Sequence, residues 1–218
     1  MSIVLENKFE WEDYAQSFHS IMPAVMVQLN QFIANELYGD IIDYGCGAGK
    51  LIPYLNENAS VTSYTGIDFS KEMIELANSV GNCHSNLTTQ FVHSDIMLTA
   101  LPASDCAVSV NSFYSWPKPN DIIDKIYQDL KPGGVFILAT LLKSIDMVKL
   151  LEEAEPEFIN HDYWQAFKSH NLKIMDNPGI NLVTITELCD LLERFDFNVL
   201  SVDASFYDGG VGLVKVRK

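Results

Sequence analysis

Residues 41–50 read IIDYGCGAGK: two isoleucines run into an acidic residue, and glycines then fall at positions 45, 47 and 49. Each glycine would cost backbone entropy inside a regular element, so the run marks a turn or a close approach to another group. The apolar lead-in reads as a buried strand. A glycine-rich turn at the end of such a strand is a ligand-binding arrangement, and the remaining sequence has to say which ligand.

Outward from this stretch, short apolar runs alternate with amphipathic segments. Strands are predicted over 40–44, 62–67, 90–93, 105–110 and 135–140, and helices over 50–58, 70–80 and 120–130. In the third helix Ile122, Ile123, Ile126, Tyr127 and Leu130 make one apolar face, with Asn120 or Asp121 as its cap. This alternation implies an α/β fold with a parallel sheet, wound right-handed and covered on both faces. Two regions stand outside the pattern. The first 39 residues carry Trp11, Tyr14, Phe18, Ile21 and Val25 at helical spacing, which fits packing on the core or a lid over a ligand. Residues 143–182, broken at Pro156 and at Asn177-Pro178-Gly179, are too long for a connection and read as an inserted helical cap. A helix over 184–196 follows, opened by a Thr184–Glu187 capping box or by a nearby threonine. NVLSVDASF and GVGLVKVRK, joined through Asp208-Gly209-Gly210, then read as a terminal antiparallel hairpin.

The 218 residues suit a single domain, 1–218, and an apolar share of 48% suits a full core. Asp and Glu number 29 against 14 Lys and Arg, a net charge of −15 spread along the chain. A basic face for phosphate backbones is therefore not expected, and nucleic acid is excluded as a partner. Cys46, Cys83, Cys106 and Cys189 form no Cys-x-x-Cys pair and no zinc spacing, which fits reduced thiols and a cytoplasmic setting. The opening MSIVLENKFEWED lacks the layout of a signal peptide. No apolar run approaches the ~20 residues that span a bilayer, so no membrane association is expected.

A P-loop needs a hydroxyl residue after its Gly-Lys, and Leu51 follows Lys50 here, so that reading fails. A dinucleotide turn needs a third glycine where Lys50 stands, which weakens that reading and leaves it open. What remains is Asp43-x-Gly45-x-Gly47-x-Gly49, followed by Gly66-Ile67-Asp68-Phe69-Ser70 and DFSKEMIELA. Phe91-Val92-His93-Ser94-Asp95-Ile96 comes next, and Leu130-Lys131-Pro132-Gly133-Gly134 stands before VFILAT. In this order and spacing the chain resembles the class I S-adenosylmethionine-dependent methyltransferases, small-molecule type.

The resemblance implies a Rossmann-like seven-stranded sheet, mostly parallel with the last strand antiparallel, and S-adenosylmethionine as cofactor. It implies that Gly45, Gly47 and Gly49 lie under the methionine and ribose, with Asp43 near the ammonium group. Asp68 would accept both ribose hydroxyls, and Phe69 would lie by the adenine. Met73 would face the cofactor or the core, and Ser70 would cap the following helix. Asp95 would take the adenine amino group, Ile96 would offer its N–H to the ring, and the Leu-Lys-Pro-Gly-Gly turn would be structural. Asn111 ends the fourth strand, where open α/β sheets place reactive groups. WEDYAQSFH resembles the Trp-x-x-Tyr-Ala helix of small-molecule members, which assigns Tyr14 to the methionine carboxylate.

The acceptor is less defined. Asn111-Ser112-Phe113-Tyr114 lacks the two prolines of members that methylate nucleobase amines or glutamine amides, and no carboxylate cluster suggests a metal. Phe113, Tyr114 and Trp116 read as an apolar wall for a small acceptor, or as ordinary loop packing. Tyr114 and His19 are the candidate catalytic groups, with a surface or capping role as the alternative for His19. His161 and Tyr163 either line a lid over the acceptor or are structural. The resulting expectation is O- or N-methylation of a small molecule, with no statement on oligomeric state. The rivals are a protein or peptide methyltransferase, a nicotinamide-dependent oxidoreductase and a non-catalytic scaffold of the same fold.

Overall fold

In the computed structural model, residues 3–56, 58–84 and 86–218 are described, with side chains from Trp11 onward. The five predicted strands form as β1 (Gly39–Tyr44), β2 (Val61–Asp68), β3 (Thr88–His93), β4 (Ser104–Val110) and β5 (Leu130–Leu141). The hairpin supplies β6 (Asn198–Ser205) and β7 (Val211–Arg217). All seven join one sheet in the order β3-β2-β1-β4-β5-β7-β6. The first five run parallel, and β7 is antiparallel to both β5 and β6. Because β1 pairs with β2 on one side and β4 on the other, successive crossovers leave it in opposite directions. A crevice therefore opens at the carboxyl ends of β1 and β4, and the glycine turn empties into it.

Alternation along the strands builds two cores. Ile41, Tyr64, Cys106, Val108 and Ile137 face one side, where they meet Leu29, Ile33, Ile52 and Ile74. These come from α2 (Ala24–Glu36), α3 (Ile52–Leu55) and α4 (Lys71–Asn82). Ile42, Tyr44, Ala107, Phe136 and Leu138 face the other side, against Ile123, Ile126, Leu188 and Leu192. Those belong to α5 (Pro119–Asp129) and α8 (Ile185–Glu193). Each such aliphatic side chain contributes about 1.5–3 kcal/mol when fully buried, so a one-residue slip in register would be severely unfavourable.

A third core lies above the crevice. Tyr14, Ala15 and Ile21 pack with Leu151, Trp164 and Phe167. They join α1 (Ile3–Ser20) to α6 (Met147–Phe158) and α7 (Trp164–Asp176), the two helices within residues 143–182. The Tyr14 and His170 rings stack at 3.8 Å with 8° between planes, and Asn171 Nδ2 donates to the Tyr14 hydroxyl at 2.9 Å. A carboxylate fastens α1 to the sheet layer. Glu12 accepts from Ser70 Oγ at 2.9 Å and from the backbone N–H groups of Lys71 and Glu72 at 3.0 Å each, filling the positive end of α4.

Several local expectations change. The helix predicted over 50–58 shortens to α3, because Asn58 turns back to donate to the Ala34 and Leu37 carbonyls at the end of α2. Pro156 lies inside α6 and does not break it; the helix ends two residues later, at Phe158. Helix α5 starts at Pro119 with no side-chain cap, since proline at a first turn needs no N–H partner. The Leu-Lys-Pro-Gly-Gly stretch is drawn into β5, with a register slip against β4 and Gly133 at φ +79°. The capping box of α8 forms as expected: Thr184 Oγ1 accepts from Glu187 N, and Glu187 Oε2 accepts from Thr184 N.

Candidate active site

Gly45 follows β1 at φ +82°, and a Cβ there would lie 2.5 Å from the Ser112 side chain. At Gly47, φ +52°, it would lie 3.1 Å from the Phe18 ring of α1. The turn therefore lays bare backbone along the crevice floor. Gly49 faces away, toward Ile52 and Ala77, so its part is close packing of the turn on α4 and not ligand contact.

Three acidic residues stand around this floor. Asp43 is buried at the end of β1, where Tyr64 of the neighbouring strand donates to its Oδ2 at 2.6 Å. Its Oδ1 is buried with no partner among the described residues. Burial raises the Asp43 pKa to about 7, against the pull of the Tyr64 hydrogen bond, and nearby Asp68 pushes the same way. Asp68 accepts from Gly47 N and Ser70 N, each at 2.9 Å, which ties the glycine turn to the end of β2. Burial lifts Asp68 to about 6; the two N–H donors oppose the shift and Glu12 adds to it. Each Asp68 oxygen keeps a further lone pair for a hydroxyl donor. Asp95 is exposed after β3, and its Oδ1 accepts from Met97 N at 2.9 Å.

At the end of β4, Asn111 adopts φ +52°, an uncommon conformation for a residue with a side chain. Its Oδ1 is buried and unpartnered, and its Nδ2 stands 3.4 Å from the Tyr207 hydroxyl. Tyr207 and Asp208 are also left-handed, both at φ 53°, in the corner between β6 and β7. Asn111 and Tyr207 thus bring two strained residues together on the cavity wall, while Asp208 is exposed and pairs with Lys149.

One cavity of about 490 Å³ joins these groups. Tyr14, Asp43, Gly45, Gly47, Asp68, Phe69, Met73, Asp95, Ile96 and Asn111 all line it, as do Tyr114 and Trp116. Five predicted residues do not. Gly49 is one. Phe113 turns into the core beneath, edge-on to Trp116 at 5.3 Å between ring centres. His19 follows the inward-facing Tyr14 and Phe18 but lies around the helix from them, half-buried, with its pKa lowered by burial and by Lys50. His161 and Tyr163 are exposed in the connection between α6 and α7, where His161 Nδ1 accepts from Tyr163 N at 3.3 Å. Tyr114 lines the cavity, yet burial raises its pKa, so at neutral pH it is a hydrogen-bond donor and no base.

Other lining residues were not expected. Met147, Leu150, Leu151 and Ala154 of α6 face the cavity, and their i, i+3, i+4, i+7 spacing was readable in MVKLLEEA. Met26, Asn30 and Lys50 also line it, as does Tyr207, whose only sequence signal is its place before Asp-Gly-Gly. No group of three or more metal-ligating side chains occurs among the described residues, and no helix there is long and apolar enough to cross a membrane.

The profile of a family described as a methyltransferase domain matches residues 18–202. The chain belongs to the class I S-adenosylmethionine-dependent methyltransferases. It is 30% identical over 165 residues to a carboxy-S-adenosyl-L-methionine synthase of Campylobacter lari, covering 73% of this chain and 70% of that one. It is 29% identical over 105 residues to a malonyl-[acyl-carrier protein] O-methyltransferase of Halalkalibacterium halodurans. That match takes 46% of this chain and spans only 38% of the relative. The N-methyltransferase NodS of Bradyrhizobium japonicum, solved with S-adenosylhomocysteine, shares the fold at a TM-score of 0.63 and 13% identity, covering 90% of this chain and 88% of that one. The methyltransferase cofactor suits the residues present. The unpartnered Asp43 Oδ1 and Asn111 Oδ1 are both on the cavity wall, where a ligand with an ammonium group and hydroxyls would satisfy them.

Proposed function

We propose that this methyltransferase transfers the cofactor's methyl group to an oxygen or nitrogen of a small, largely apolar acceptor by in-line displacement. The observation that carries the reading is the make-up of the cavity wall. Asp43, Asp68 and Asp95 line it together with Met26, Met147, Leu150 and Phe167. S-adenosylmethionine supplies the electrophilic methyl, so the protein's task is alignment and exclusion of water.

In this reading Asp43 takes the ammonium group, and Gly45 and Gly47 lie under the methionine and ribose. Asp68 accepts the ribose hydroxyls, while Phe69, Met73, Asp95 and Ile96 surround the adenine. Tyr14 covers the methionine carboxylate, and Asn111 flanks the reacting end. Trp116 and Tyr114 form a wall for the acceptor, with the Tyr114 hydroxyl as a donor that orients it. No histidine lines the cavity among the described residues, which favours an acceptor already nucleophilic or deprotonated in solution. Residues 1–39 and 143–182 act as lid and cap of a single domain, supported by the shared core of α1, α6 and α7. That roof favours a compact acceptor over a protein side chain. Four free cysteines support a cytoplasmic setting.

The test is release of S-adenosylhomocysteine on incubation with S-adenosylmethionine and a panel of phenols, carboxylic acids and amines carrying apolar groups. Turnover confined to polar or peptide acceptors would reject the acceptor class. Tight NADH binding without S-adenosylhomocysteine binding would reject the cofactor.

A further inference from the structure

Lys50 closes the glycine turn, and its side chain runs toward α1 and not out to solvent. The ammonium donates to the Ile21 carbonyl and stands 4.1 Å from the centre of the Phe18 ring. Phe18 itself rests on Gly47, so the charge is held beside the floor of the cofactor cavity, which Lys50 lines. Lys50 pairs with no carboxylate among the described residues. The other lysine on the wall, Lys118, is exposed and pairs with Asp121 at 3.8 Å. Burial pushes the Lys50 pKa down to about 7, the behaviour of a cation short of a counter-ion.

On the reading that this cavity holds S-adenosylmethionine, we propose that Lys50 binds the carboxylate of its methionine end. That end is a zwitterion, with ammonium and carboxylate on one carbon. Asp43 and Lys50 stand at the two ends of the glycine turn with opposite charges and bare backbone between them, which matches a zwitterion laid across the turn. A lysine has three donors, so the Ile21 carbonyl and a carboxylate can be held together. The same contact couples the cofactor to the end of α1, the helix that roofs the site. A lysine that merely clamped α1 would affect every ligand alike.

Calorimetry with two probes separates these cases. S-adenosylhomocysteine carries the amino-acid end, and 5′-methylthioadenosine keeps the adenosine and thioether without it. Lys50→Met is expected to weaken S-adenosylhomocysteine by about tenfold or more and to leave methylthioadenosine within about twofold. Equal weakening of both probes, or no change in either, overturns the assignment. Failure of the unaltered protein to bind S-adenosylhomocysteine overturns the cofactor reading instead. If Lys50→Met does not fold, reductive methylation of the unaltered protein decides. S-adenosylhomocysteine must then protect Lys50 where methylthioadenosine does not, and equal protection by both, or by neither, refutes the proposal.

Discussion

Asp43 offers the most direct check on how the cavity is charged. In the ligand-free protein burial holds its carboxyl at about 7, against an ordinary 3.8. A ligand ammonium against Oδ1 favours the ionised form and draws the pKa back down, so binding below pH 7 expels a proton. Affinity for S-adenosylhomocysteine must therefore rise with pH up to about 7; above that the Asp43 contribution levels off, and loss of the Lys50 proton lowers affinity again. A full return to the ordinary value is a shift of about 3 units, or ~4 kcal/mol as a ceiling, and between pH 5 and 7 it amounts to about fiftyfold in affinity. Asp68, lifted to about 6 by the same burial, adds a second proton below pH 6. The slope of log affinity against pH should thus steepen from near one to near two as pH falls through 6. Calorimetry at pH 5, 6 and 7, in buffers of different ionisation enthalpy, measures both the affinity and the protons released. Asp43→Asn is expected to remove the slope between pH 6 and 7 and to keep the Asp68 contribution below it. A flat affinity in the unaltered protein, or an unchanged slope in Asp43→Asn, refutes the reasoning.

Tyr64→Phe removes the hydrogen bond that opposes the Asp43 shift, so the midpoint of that pH profile should move above 7. An unmoved midpoint would detach Tyr64 from the site. Glu12→Ala removes the carboxylate that accepts from the first N–H groups of α4, leaving the Ser70 cap in place, and should cost about 1 kcal/mol, read as a lower thermal midpoint. It should also lower the Asp68 pKa, shifting the steep part of the binding profile to more acid pH. Gly45→Ala forces a Cβ into φ +82° and onto Ser112, and should destabilise the fold by roughly 1–3 kcal/mol in denaturant titration; a neutral result would show that the turn relaxes freely.

Much of the sheet was legible because its central strands β1, β4 and β5 are largely buried on both faces and therefore mostly apolar. Ala107 and Val108 face opposite cores, and neither can be polar. The acids of the cavity wall were legible for a related reason: Asp43 and Asp68 come at the ends of their strands beside glycines that no regular element would hold. The roof was less so. His161 and Tyr163 lie in an aromatic, polar stretch, NHDYW, yet the helices turn that connection to solvent and present Leu150, Leu151 and Phe167 inward. Helical spacing identifies a face and leaves open what that face meets.

By itself, then, the sequence determined the alternation of strands and helices, the terminal hairpin and the chain of acids beside glycines. All of these follow from local periodicity and backbone freedom. Only the tertiary structure decided which groups share the cavity and how they are charged. Glu12 reaches the end of α4 across 58 residues, and Asn111 meets Tyr207 across 96. The carboxyl of Asp43 is held near neutrality by the walls around it, because the cost of an ionised group depends on the solvent removed from it and that belongs to the packed molecule.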